Sequence, residues 1–107
     1  MRIRSQITGD HITEADVQTA KIADALAHPL RVALVKYLKA KNGGKGVDNE
    51  TCNKDLVEMF NYSQSTMSQH VKVLVNCGLF ITESKDKFTL YYLDTALLDT
   101  FKRSLDF

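Results

Sequence analysis

Apolar residues recur along most of this chain at intervals of three and four, and the places where that period stops divide it into elements. Val17, Ala20, Ile22, Ala23 and Leu26 form the first stripe. Thr13, ahead of Glu14 and Asp16, reads as its N-cap with acids in the first turn, which predicts a helix to about Ala27. His28-Pro29 then breaks the helix, because a residue before proline avoids helical angles while proline suits the first helical position. A second helix is predicted from Pro29 to Ala40, with Leu30, Ala33, Leu34, Tyr37 and Leu38 as its buried stripe, and Asn42-Gly43-Gly44 stops it. The polar segment from Lys45 to Cys52 holds at most a short strand. A third helix, Asn53 to Phe60, is expected to bury Leu56, Val57, Met59 and Phe60 in part. Asn61-Tyr62 turns the chain into a fourth helix, from Ser63 or Gln64 to Asn76, apolar at Met67, Val71 and Leu74.

After Cys77-Gly78 the composition shifts to β-branched and aromatic residues, predicting strands at Leu79–Ser84 and Phe88–Leu93 around a charged tip, Lys85-Asp86-Lys87. Asp94 can cap a last helix, Thr95 to Leu105, with Leu97, Leu98, Phe101 and Leu105 on one face. Met1 to Gly9 read as irregular. The expected fold is mostly α with a small β-hairpin (α+β): a winged helix-turn-helix with extra N- and C-terminal helices. Residues 1–107 are expected to form a single domain.

The fourth helix carries the most informative chemistry. Opposite its apolar stripe stand Gln64, Ser65, Ser68 and Gln69, short polar side chains with no charge to pair with one another. A face built for solubility more often uses Glu and Lys. Amides that can bond adenine, hydroxyls that suit any base and little bulk near the backbone are what major-groove reading requires. Ser63 is better explained as a cap than as a contact, and Thr66 can bond phosphate or cap the backbone. His70 lies near the buried side and fits a supporting place. Lys72, and Lys85 and Lys87 at the wing, are candidates for phosphate contacts.

Charge sharpens this only through its distribution. The net charge is +1, but Ala25 to Val47 hold Arg31, Lys36, Lys39, Lys41 and Lys45 with no acid among them. The bland alternative for any one lysine is a solvated surface. An apolar content of 44% is ordinary for a globular protein, and no apolar run approaches the ~20 residues of a membrane span. The basic start, Met1-Arg2-Ile3-Arg4, lacks a following apolar region, so no secretory signal, no membrane partner and a cytoplasmic location are expected. Two cysteines, Cys52 and Cys77, make no disulfide framework.

Ala25-Leu26-Ala27-His28-Pro29-Leu30-Arg31 resembles the entry to the second helix of ArsR/SmtB-type bacterial repressors. Ser63-Gln64-Ser65-Thr66-Met67-Ser68-Gln69-His70-Val71, with Leu74 and Gly78-Leu79, is similar to that family's recognition helix and its exit. Tyr91-Tyr92-Leu93 resembles the end of its second wing strand, so the likeness runs from about Ala20 to the C-terminus. The resemblance implies a homodimeric repressor bound to a palindromic double-stranded DNA operator and released by a chemical signal. It also implies a dimer interface on the first and last helices, here Ile22, Leu97, Leu98, Phe101 and Leu105. The apolar face of the last helix agrees with that, although such a face can also pack on the chain's own core.

The sensor is less complete. Many members of that family bind metal through Cys-x-Cys at the start of the third helix, whereas here Cys52 is followed at the second position by Lys54, an ammonium that cannot ligate. The family's other site needs Asp and His on the last helix; Asp94 and Asp99 are present, but no histidine follows His70. No metal site and no cofactor are therefore expected. Cys52, near a helix start and beside Lys54, is a candidate redox thiol, with a structural role the simpler account. No nucleophile–base pair or phosphate loop suggests an enzyme. The competing function is a winged-helix module that docks a protein and binds no DNA.

Overall fold

The computed structural model describes residues 11–107, so the reading of Met1 to Gly9 lies outside the described residues. Five α-helices and one hairpin follow in order: α1 (Glu14–Ala25), α2 (Pro29–Ala40), α3 (Asn53–Phe60), α4 (Gln64–Asn76), β1 (Phe80–Lys85), β2 (Phe88–Leu93) and α5 (Thr95–Ser104). Short 3-10 turns at Asn42–Gly44 and Val47–Asn49 bridge α2 and α3. The architecture is a winged helix-turn-helix, mostly α with a small antiparallel hairpin, as the hydrophobic periodicity predicts.

Local chemistry accounts for the boundaries. Thr13 and Asp16 exchange bonds reciprocally: the Asp16 N–H donates to Thr13 Oγ1 at 3.1 Å and the Thr13 N–H to Asp16 Oδ2 at 3.0 Å. The first helix ends at Ala25, two residues earlier than the pattern suggests, and the reason is not local. Arg31, from the next helix, donates its Nε–H to the Ala25 carbonyl at 2.6 Å, satisfying an acceptor that another turn would have used. His28 has an extended backbone and caps α2, its Nδ1 accepting the Leu30 N–H at 3.1 Å. Asp94 caps α5 by accepting the Leu97 N–H at 3.0 Å.

Ile22, Leu34, Leu38, Leu56, Met67 and Leu74 form the centre of one core shared by α1 to α4, which Leu79, Phe80, Leu93, Leu98 and Phe101 close from the wing and α5. Met59 departs from expectation at 59% exposed, while Leu56 is fully buried and Val57 and Phe60 pack at the core's edge. In a helix of eight residues against one neighbouring layer, only one turn-to-turn stripe can face inward. The hairpin pairs Phe80 with Leu93 through Lys85 with Phe88, so Lys85 is the last strand residue and the tip narrows to Asp86-Lys87. Thr51–Cys52 supplies the short strand-like edge: the Tyr91 N–H donates to the Thr51 carbonyl at 2.9 Å, and Cys52 bridges Leu90. No helix among the described residues is long and apolar enough to cross a membrane.

Candidate nucleic-acid interface

Ser63 opens α4. Its Oγ accepts the Thr66 N–H at 3.2 Å and donates its own proton to Thr66 Oγ1 at 2.9 Å. The Ser63 hydroxyl is thereby occupied in capping, and Thr66, whose Oγ1 accepts from it, is half-buried. Met67, Val71 and Leu74 lie in the core and fix the rotation of the helix. That rotation turns Gln64, Ser65, Ser68 and Gln69 outward, all exposed, with Lys72 exposed one turn beyond. The outward surface is therefore uncharged at the start of α4 and gains a cation further along. Such an arrangement offers donors and acceptors to base edges while a nearby ammonium can meet a phosphate.

The wing is exposed along most of its length, and Lys87 stands at its tip beside Asp86, whose φ of 54° supplies the tight reversal. Lys85 differs from Lys87. Its ammonium pairs with the Glu50 carboxylate, and that hydrogen bond and charge raise its pKa above 10.5. A phosphate contact from Lys85 requires exchange of Glu50 for the phosphate, whereas Lys87 needs none. Lys36 and Lys39 of α2, with Lys102 of α5, border an open apolar groove of about 420 Å³ floored by Val35, Leu98 and Phe101.

His70 is half-buried, and it occupies a cluster that no single stretch of sequence reveals. Its ring centroid lies 4.4 Å from that of His28 and 6.5 Å, edge-on, from that of Tyr62. Arg31 donates from Nη1 to His70 Nδ1 at 3.3 Å. Burial first, then the His28 and Arg31 charges, hold the His70 pKa below its ordinary value of 6.5. Arg31, His28 and Tyr62 were absent from the predicted site. The one local signal was His28 immediately before a helix-opening proline, a position where a side-chain acceptor is expected to cap.

Of the predicted interface residues, Ile22 (1% exposed), Leu98 (5%) and Phe101 (9%) are enclosed by the chain's own packing. Much of their apolar area is taken up where α1 packs on α5, while Leu98 and Phe101 also floor the groove beside Lys36, and Ile22 and Phe101 line a cleft between α1 and α5. Leu97 is half-buried, and Leu105 remains 44% exposed. Cys77 is buried with its Sγ–H directed to the Leu74 carbonyl at 3.3 Å, and Cys52 is half-exposed at the N-cap of α3, its backbone N–H held by Asp55 at 2.9 Å. Among the described residues no three His, Cys, Asp or Glu side chains converge as a metal-ligand set.

Residues 28–81 match the family described as bacterial regulatory protein, arsR family. The arsenical resistance operon repressor of Staphylococcus xylosus is 30% identical over 89 residues, spanning 83% of this chain and 78% of that protein. The solved transcriptional repressor BigR from Xylella fastidiosa is 26% identical with a TM-score of 0.61, over 82% of this chain and 80% of its own. A homodimeric winged helix-turn-helix DNA-binding domain from Mycobacterium bovis shares the fold at a TM-score of 0.65 and 18% identity, over 96% of this chain and 85% of its own.

Proposed function

Because the chain belongs to the bacterial arsR family of DNA-binding transcriptional regulators, we propose that it works as a homodimeric repressor of a palindromic operator, released by a chemical signal. Its relatives are regulators, not enzymes. One observation supports this most: α4 presents Gln64, Ser65, Ser68 and Gln69 outward in a row, uncharged, on a helix whose rotation the core fixes. In the proposed complex these residues meet base edges, and Lys72 and Lys87 meet phosphates. Lys85 joins them by leaving Glu50. The same polar row, together with family membership, favours DNA over a protein partner as the ligand of this surface.

The second copy is proposed to dock on the outer side of α1 and α5, along the shallow cleft bordered by Ala15, Thr19, Leu97, Thr100 and Ser104 and ending at Leu105. Ile22, Leu98 and Phe101 brace that face from beneath. A relative of the same fold is homodimeric, which supports the assembly. Cytoplasmic location follows from the proposed role on the chromosome. We extend the repressor part of the Staphylococcus xylosus protein's description to this chain, but not the arsenical part. Cys52 is the half-exposed thiol and Cys77 is buried, so among the described residues no thiolate set forms.

Selection of duplexes from a random library by the full chain tests this. An inverted repeat with half-site centres about 10 bp apart, or a whole multiple, is the expected product of a two-fold dimer carrying one α4 per half-site. Enrichment of an unrepeated site bound by one protomer contradicts the dimer, and no enrichment contradicts DNA reading.

A further inference from the structure

Arg31 is the joint through which α1 and α2 meet the reading helix. Its Nε–H is taken by the Ala25 carbonyl at the end of α1 (2.6 Å), its own backbone belongs to the first turn of α2, and its Nη1 reaches His70 Nδ1 on α4 (3.3 Å). A guanidinium donates and cannot accept, so the Nδ1 of His70 carries the lone pair and its proton sits on Nε2. The same logic applies to His28, whose Nδ1 is occupied by the Leu30 N–H at 3.1 Å. The two imidazoles, 4.4 Å apart, thus both present Nδ1 as an acceptor, His28 to a backbone N–H and His70 to the Arg31 guanidinium.

We propose that Arg31 is a positioning residue for DNA recognition: it latches α4 to the α1–α2 junction through neutral His70, and protonation of His70 opens the latch. The proposal rests on α4 being the reading helix. Protonation at Nδ1 removes the acceptor that Arg31 uses and sets an imidazolium against a guanidinium. The groups that act on the His70 ring are His28 and Arg31 from α2, with Tyr62 packed edge-on from the α3–α4 turn, and no carboxylate among the described residues offsets the added charge. Acid therefore has opposite effects on two kinds of binding. An added positive charge strengthens sequence-independent attraction to phosphates. Loss of the latch weakens the specific complex, because the base-reading residues Gln64 to Gln69 lie one to two turns before and beside His70 on the same helix.

The test uses the full chain and a duplex selected from a random library. Nitrogen-15 imidazole spectra at pH 7.5 are expected to show His70 with its proton on Nε2, and this signature is expected to be lost in Arg31→Gln. Titration of binding should show specific affinity falling from pH 7.5 to 5.5, by no more than about tenfold because the His70 pKa lies below 6.5, while affinity for an unrelated duplex holds or rises. His70→Asn, which keeps an acceptor near the Nδ1 position without a proton to gain, is expected to remove the pH dependence. Arg31→Gln should lower specific affinity with an unchanged salt slope; a slope reduced by about 1 would make Arg31 a phosphate contact and overturn the proposal. A proton on Nδ1, or specific affinity that rises on acidification, overturns it as well. If Arg31→Gln does not fold, the wild-type tautomer and pH profile still decide. Were α4 not the reading helix, the tautomer and its dependence on Arg31 would persist with no selected duplex, which separates the two failures.

Discussion

Gly44 offers a measurement of how the wing is fixed to the body. Its φ is +90°, and a Cβ there meets the Tyr91 carbonyl oxygen at 2.7 Å, a backbone atom of β2 that has no rotamer to change. Gly43, next to it, has φ +70°, but its Cβ finds Thr95 Cγ2 at 3.5 Å and the Leu93 carbonyl at 3.6 Å, ordinary contact distances. Both substitutions to alanine incur the left-handed penalty of ~1–2 kcal/mol, offset slightly by a stiffer unfolded chain. Only Gly44→Ala must also displace β2, which adds ~1–3 kcal/mol of overpacking. The expected difference between the two variants is therefore ~1–3 kcal/mol, or at least ~4 °C in Tm for a chain of this size. Urea unfolding at fixed protomer concentration reads it, since assembly would otherwise change the apparent stability. Equal destabilisation by Gly43→Ala and Gly44→Ala would refute the claim that the Asn42–Gly44 turn pins the wing by direct backbone contact.

Leu105→Glu places a charge on the exposed end of the proposed docking face, and sedimentation should show monomer where the native chain is dimeric; an unchanged assembly removes Leu105 from the interface. Glu50→Gln releases Lys85, so affinity for an arbitrary duplex should rise and its salt slope steepen by about 1, whereas no change means Lys85 stays off the DNA. The His70 pKa is lowered on folding, so its stabilising contribution is complete above about pH 6.5 and is lost as pH falls through the lower folded value. Urea midpoints should therefore fall between pH 7.5 and 5.0, and His70→Asn should fall less than the native chain; equal slopes would deny the ring this role.

Features that depend on neighbours in sequence were readable from it. The Thr13–Asp16 box, the Ser63 and Asp94 caps, the Pro29 start of α2 and the outward set on α4 each follow from residues within four positions. Contacts that close across the fold were not. Arg31 and His70 are 39 positions apart, and Glu50 and Lys85 are 35 apart, so no local pattern couples them. The last helix shows the limit in another way. Its period announces that Leu98 and Phe101 are buried, but a period does not say against what, and here α1 and the core pack on them. Met59 was overcounted for the same reason, since a short helix has more apolar residues than inward places.

Base reading by the uncharged face of α4 is tested most directly by comparing Gln64→Ala/Ser68→Ala with Lys87→Ala on a selected duplex and on single-base variants of it. The α4 variant should lose ~1–3 kcal/mol of discrimination per contacted base at an unchanged salt slope. Lys87→Ala should keep discrimination and lose about 1 from the slope. Full discrimination by Gln64→Ala/Ser68→Ala would contradict the assignment of α4 as the reading surface.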